Sequence, residues 1–209
     1  MTMKDFFSSL YSLSPRGGRF EEMRRYAEAN GVPIMLPDTE RFMRTIVALG
    51  KPRAILEIGT AIGYSGCVML DCCPSAKLYT IEMDEEAASV AAENFSLFGV
   101  ADRVTQFLGD AREIVHKMTG CFDFVFMDGP KGQYADFLHY IKNMLASGGA
   151  LLADNVLFHG YVENLPDKKD RAYGMANNMN KFLKSLFSDG DFESVILDVG
   201  DGLSLSVKK

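Results

Sequence analysis

The sequence predicts one α/β domain: a mostly parallel sheet covered by helices on both faces, with an antiparallel pair of strands at its end. Three observations carry this. Short, nearly continuous apolar runs alternate with amphipathic stretches through most of the chain, as expected of strands buried on both sides. The segment Ile55-Leu-Glu57-Ile-Gly59-Thr-Ala-Ile-Gly63-Tyr-Ser65 reads as a strand running into a glycine turn and the start of a helix. The last two apolar runs, 194–199 and 203–207, are separated only by Gly200-Asp201-Gly202, a hairpin turn.

The elements follow in order. A charged amphipathic stretch, 20–30, ends at Gly31. A second helix carries Phe42, Ile46, Val47 and Leu49, with Asp38 as its expected cap and Gly50 and Pro52 as its stop. Strands are expected at 54–59, 78–83, 104–108, 122–128 and 150–154. Asp84 should cap the helix after the second strand, with Glu85 and Glu86 in its first turn and Gly99 at its end. A long loop, 156–172, follows the fifth strand at the edge where open α/β sheets bind ligands, and its place suggests a lid. At 209 residues the chain suits a single domain, 1–209, in which residues 1–50 form a helical cover.

Composition narrows the class. With 47% hydrophobic and 24% charged residues the chain has the make-up of an ordinary globular protein. No apolar run approaches the roughly 20 residues that span a bilayer. Asp5 interrupts the amino-terminal apolar stretch where a signal peptide would need continuity, so a cytoplasmic protein is expected. A net charge of −6 argues against a generalist nucleic-acid binder. Two local basic clusters, Arg16, Arg19, Arg24 and Arg25, then Lys168, Lys169 and Arg171, read individually as solvated faces. Cys67, Cys72, Cys73 and Cys121 show no zinc spacing; Cys67 and Cys121 are expected to be buried, unreactive thiols.

The glycine turn limits the ligand. Its spacing is G-x-x-x-G, not the G-x-G-x-x-G that seats a dinucleotide pyrophosphate, and Glu57 would repel a polyphosphate. A nucleoside bearing positive charge fits better, which describes S-adenosylmethionine. Successive strands each end near an acid: Glu57, Glu82, Asp110, Asp128 and Asp154. In a parallel sheet these share one edge. Glu82 is placed to accept ribose hydroxyls. Asp110 falls where the adenine should lie, although a helix cap explains it too.

Asp128, Asp154 and Asn155 are hard oxygen donors, suited to Mg²⁺ or another divalent cation. Lys131 is the candidate base, since a lysine beside a divalent cation can lose its proton near neutral pH. A nicotinamide-dependent oxidoreductase is the alternative class, disfavoured by the glycine spacing. His159, in the loop after the fifth strand, is a weaker candidate for touching an acceptor.

The segments AILEIGTAIGYS (54–65), FDFVFMDGPKGQY (122–134), ALLADNVLFHG (150–160) and VGDGLSLSV (199–207) together resemble the cation-dependent O-methyltransferases, the family of catechol and caffeoyl-CoA O-methyltransferases. The resemblance runs from about residue 20 to the end. It implies a seven-stranded Rossmann-like class I methyltransferase fold with an antiparallel last strand, and a homodimer. It also implies metal ligands at Asp128, Asp154 and Asn155, a catalytic Lys131, and S-adenosylmethionine contacts at Met35, Glu57, Gly59, Ser65, Glu82, Asp110, Ala111 and Asp128. The family's D-A-x-K is here Asp128-Gly-Pro-Lys131, so Pro130 stiffens the turn that aims the lysine. Within the family the strings Val32-Pro-Ile-Met35 and Lys131-Gly-Gln-Tyr134 are similar to a bacterial branch that methylates 5-hydroxyuridine in tRNA. A small catechol-type acceptor shares the same chemistry, two oxygens on adjacent ring carbons.

Overall fold

The computed structural model describes residues 18–209 together with Phe6, Ser9 and Leu10; Arg16 and the amino-terminal five residues lie outside them. The chain divides into two compact units, Met1–Ile34 and Met35–Lys209. The first contains helix α1 (Gly18–Asn30), whose Phe20, Met23 and Ala27 recur at helical spacing and are buried. Gly31, at φ +65°, ends it. The division falls after Ile34, so the second helix of the expected cover belongs with the sheet.

That helix, α2 (Pro37–Gly50), starts differently from the expectation. Proline occupies its first turn with its fixed φ, Leu36 stands at the cap position without a side-chain bond, and Asp38 lies inside the first turn. Its buried face is Thr39, Glu40, Met43 and Val47, while Leu49 is 79% exposed.

The sheet has seven strands: β1 (Ala54–Ile58), β2 (Lys77–Glu82), β3 (Val104–Leu108), β4 (Phe122–Met127), β5 (Leu145–Asp154), β6 (Phe192–Leu197) and β7 (Leu203–Lys208). Their order is β3-β2-β1-β4-β5-β7-β6. The first five are parallel, and β7 runs antiparallel to both β5 and β6, as the glycine-flanked hairpin predicts. The chain order reverses beside β1, which pairs with β2 on one side and β4 on the other. Such a reversal opens a crevice at the carboxyl ends of the strands. Helices α3 (Tyr64–Cys72), α4 (Glu85–Leu97), α5 (Ala111–Lys117), α6 (Tyr134–Met144) and α7 (Tyr173–Ser188) complete the unit.

Leu56, Ile58, Val125, Met127, Leu151 and Ala153 share the core with Phe137 and Ile141 of α6 and Phe182 of α7. All these strand residues are fully buried, which is why the runs lack polar alternation. Strand β5 begins well before residue 150, through Ser147-Gly148-Gly149, because a register shift between Phe122 and Phe124 admits that irregular stretch.

Two further expectations are corrected. Cys121 is exposed, lying in the turn before β4 rather than in the core, whereas burial pushes the Cys67 thiol up to about 12. The loop after β5 is not loose along its whole length. Val156 and Val162 are buried in the core, and the backbone N–H groups of Val156 and Leu157 donate to the carbonyls of Gly202 (3.0 Å) and Asp201 (3.1 Å) in the β6–β7 turn. Among the described residues no helix is long and apolar enough to cross a membrane.

Candidate active site

The turn after β1 is built for close approach of backbone. Gly59 has φ +98°, and a Cβ there would stand 2.5 Å from the Asp128 carbonyl oxygen and 3.0 Å from Gly129 Cα. Gly129 faces back: its Cβ would meet Ile58 Cγ2 at 3.0 Å. Two residues without side chains therefore let the ends of β1 and β4 converge. Gly63, at φ +79°, caps α3, and its N–H donates to the Thr60 carbonyl at 2.8 Å. Ala61 holds a left-handed φ of 45°, and its N–H is fixed by Glu82 Oε2 at 2.8 Å.

Glu82 ends β2 and binds three backbone N–H groups, since Oε1 also accepts from Met83 (2.8 Å) and Asp84 (2.9 Å). Those bonds orient the carboxylate at the crevice and leave Oε2 a lone pair for a ligand hydroxyl. Asp84 caps α4 as expected, accepting from Ala87 N–H. Asp110 caps α5 and pairs with Arg112 at 2.6 Å, which holds its carboxyl below the ordinary range. Asp110 is thus the helix cap that the sequence allows, two residues past the end of β3 and beside buried Ala111. Met35 is 5% exposed and opens the unit that contains the sheet.

Glu57 is fully buried inside β1 rather than at its end. Ser65 Oγ donates to Oε1, and Thr80 Oγ1 donates to Oε2 at 2.6 Å. Burial lifts its carboxyl to about 7, the two hydroxyls oppose that rise, and Asp128 and Glu82 add to it.

Asp128 follows β4, and Asp154 ends β5 at 2% exposure. Burial first, then the charge of Asp154, raises Asp128 to about 7, and burial raises Asp154 to about 6. Lys131 Nζ lies 3.8 Å from Asp128 Oδ1 and lowers both acids. Pro130 keeps an ordinary φ of −67° and its carbonyl accepts from Gln133 N–H at 2.9 Å, so the lysine opens a 3-10 turn, Lys131–Gln133. Asn155 adopts φ 56°, a conformation that costs a non-glycine residue energy and is retained here at the end of β5. Tyr134 Oη donates to the Met127 carbonyl (3.0 Å) and lies 3.4 Å from that of Asp154, pinning the two strand ends just past their last ladder pair.

This set fits a divalent cation. A buried carboxylate, Asp154, and a half-buried one, Asp128, share Lys131 as their nearby cation, an arrangement that a doubly charged ion would relieve. Among the described residues no three His, Cys, Asp or Glu side chains group for a metal, so a third protein donor would come from another residue type, a role open to Asn155. A separate cavity of about 380 Å³, lined by Lys51, Arg53, Phe124 and Gly149, lies at the amino ends of β1 and β4, away from these acids.

The raised acids give a pH signature for the metal-free, ligand-free protein. A carboxyl whose folded value is raised holds its proton more tightly when folded, so stability is greatest at low pH and is lost as pH climbs from the unfolded values near 4 through about 7. Melting in chelator should therefore fall between pH 5 and 8, by on the order of a few kcal/mol, and a divalent cation should restore it. A rising or flat profile would show that these acids are ionised without cost.

A family model described as O-methyltransferase matches residues 16–209. The chain belongs to the O-methyltransferase family. A catechol O-methyltransferase from Niastella koreensis is 29% identical over 195 residues, covering 88% of this chain and 86% of that protein. A caffeoyl-CoA O-methyltransferase from Eucalyptus globulus is 27% identical over 208 residues, covering 95% and 84%. The crystal structure of the O-methyltransferase TomG from Streptomyces achromogenes, in complex with S-adenosylmethionine, superposes with a TM-score of 0.84 at 25% identity over the whole of both chains. The family membership removes the oxidoreductase alternative. Tyr134, which bonds the ends of β4 and β5, and the hydroxyls of Thr60 and Thr80 beside Glu57 are contacts of the candidate site that the sequence reading missed. The lone threonine in an otherwise apolar β2 run was the available signal.

Proposed function

We propose that this family member moves the methyl group of S-adenosylmethionine to a hydroxyl that has a second oxygen on the adjacent carbon of a small aromatic ring, using Mg²⁺ or a similar divalent cation. The electrostatic coupling of Asp128 to Asp154, with Lys131 Nζ 3.8 Å from Asp128 Oδ1, supports the reading. Asp128, Asp154 and Asn155 would hold the cation. When bound there, the cation would supply a Lewis acid that polarises both acceptor oxygens and makes the hydroxyl more acidic.

The chain's own groups do the rest. Gly59 and Gly63 let the nucleoside lie against bare backbone. Glu82 takes the ribose hydroxyls, and Asp110 and Ala111 flank the adenine, with Met35 beside the cofactor. Ser65 and Glu57 receive the amino end of the methionine. Lys131, in its neutral amine form, accepts the acceptor's hydroxyl proton; the oxygen then forms its bond to the methyl carbon as the sulfur–carbon bond breaks, leaving S-adenosylhomocysteine. Orienting both reactants this way can lower the barrier by roughly 7–11 kcal/mol.

The charge pattern favours a small acceptor over tRNA. On α1, Arg19, Arg24 and Arg25 are interleaved with Glu21, Glu22 and Glu28. Lys168, Lys169 and Arg171 likewise alternate with Asp167 and Asp170. Neither makes the one-sign surface that a phosphate backbone requires. The similarity to a catechol O-methyltransferase points the same way.

The test is a methylation assay with Mg²⁺, comparing 1,2-dihydroxybenzene, its 1,3-isomer and tRNA containing 5-hydroxyuridine. Methylation of the 1,2-diol alone, abolished by a chelator, is expected. Methylation of tRNA alone would move the acceptor to the nucleic acid, and indifference to chelation would remove the cation from the reaction.

A further inference from the structure

Asparagine is a poor helix former, yet α7 holds three within four residues, Asn177, Asn178 and Asn180. Two of their amides reach out of the helix. Asn178 Nδ2 donates to the Gly132 carbonyl at 3.0 Å, and Asn180 Nδ2 donates to the Val162 carbonyl at 2.9 Å. Residues two apart on a helix look to different flanks. Helix α7 therefore grips the turn after β4 on one side and the loop after β5 on the other. Phe182, one turn beyond Asn178 on the same face, packs its ring edge-on against Tyr134, with centroids 5.5 Å apart.

Gly132 is the middle residue of the Lys131–Gln133 turn. It has no side chain to anchor it, and no neighbouring atom lies within 4 Å of where a Cβ would be. Glycine also has the most backbone freedom of any residue, so the turn needs an outside restraint to keep one shape. We propose that Asn178 is a positioning residue that pins this turn at Gly132 and thereby fixes where the amine of Lys131 meets the acceptor hydroxyl. This rests on the function proposed above and deepens it. Lys131 Nζ stands 3.8 Å from Asp128 Oδ1, beyond hydrogen-bond length, so that ion pair alone does not aim it. Pro130 stiffens the chain before the lysine, and Asn178 holds the chain after it. A long, flexible side chain on a moving backbone spends little time at the roughly 3 Å that proton transfer requires.

Three variants of the full chain test this. Asn178→Leu removes the donor at similar volume, Asn178→Asp removes it at constant shape, and Asn180→Leu removes the companion bond as a control for general loosening of α7. KM and kcat are measured with 1,2-dihydroxybenzene, S-adenosylmethionine and Mg²⁺, and amide hydrogen exchange is followed without ligands. A misplaced base predicts kcat roughly 10- to 100-fold lower in both Asn178 variants, with both KM values within a few fold of wild type. The Gln133 amide donates to the Pro130 carbonyl at 2.9 Å and so reports on the closed turn. Its exchange should quicken roughly tenfold in the Asn178 variants. Asn180→Leu should leave that exchange and kcat close to wild type. Equal losses in the Asn178 and Asn180 variants, or KM values that climb as kcat falls, would reduce Asn178 to a packing residue and overturn the proposal. Unchanged kcat or unchanged Gln133 exchange in the Asn178 variants would overturn it as well, with the functional reading intact. Wild-type protein that methylates no acceptor under these conditions would sink that reading, and the brace with it.

Discussion

Asp154→Ala is expected to lower turnover by about three orders of magnitude or more while the affinity for S-adenosylhomocysteine stays within a few fold. Several kcal/mol of stabilisation at the reacting oxygens are at stake, and each 1.36 kcal/mol is tenfold in rate. The separation of effects follows from position. Asp154 is almost fully buried at the end of β5, and its carboxylate accepts from the N–H of Asn155 at 2.7 Å. None of its bonds reaches the glycine turn. Removing it also removes a carboxyl that burial has raised to about 6, so the metal-free variant should melt no lower than wild type at pH 8. Chelator should bring wild type down to the variant's rate and change the variant little, because the two losses remove one and the same interaction. Additive losses in rate would show that the acid acts independently of any cation. Asp128→Ala should separate less cleanly, since its backbone abuts Gly59 as well as carrying the facing carboxylate.

The second large effect is Gly59→Ala. The new methyl would lie 2.5 Å from the Asp128 carbonyl oxygen and 2.8 Å from its carbon, at φ +98°. Every one of these atoms is backbone, so no side chain can swing away. Strain of this kind, together with the left-handed backbone, predicts a loss of about 2–4 kcal/mol. In a chain of this length that is a fall in Tm of roughly 6–12 °C. Binding of the methyl donor and metal-supported turnover should fail together, because the displaced strand end carries Asp128. Gly132→Ala is the control: nothing lies within 4 Å of its Cβ, and little change is expected. Gly59→Ala protein with normal melting and binding would mean that the β1 and β4 ends need not touch.

Much of this site was legible in the chain because each acid stands where an apolar run stops. Strands buried on both faces leave no alternation to confuse the reading, so Glu82, Asp128 and Asp154 could be placed on one edge before any coordinates. Glu57 was placed there too, yet it lies one residue inside its strand, facing inward. Only the pairing of Glu57 with Thr80, 23 positions apart, reveals what surrounds it. The early half of β5 was hidden by Ser147-Gly148-Gly149, residues that ordinarily mark turns. Proline at the first turn of α2 outweighed the nearby Asp38, since a missing N–H costs nothing at a helix start. The division after Ile34 left no mark in composition.

Strand β7 enters the sheet between β5 and β6, and the turn before it tethers the backbone just past Asn155. A ribosome makes β5 some fifty residues before it makes β7. Until that later segment emerges, the flank of β5 that will face it carries unsatisfied amides, and the bend holding Asn155 has no anchor. A chain broken just after β5 would keep that strand as an open edge and would lack Phe182 of the shared core, so both halves of the candidate site wait on the segment still to be made.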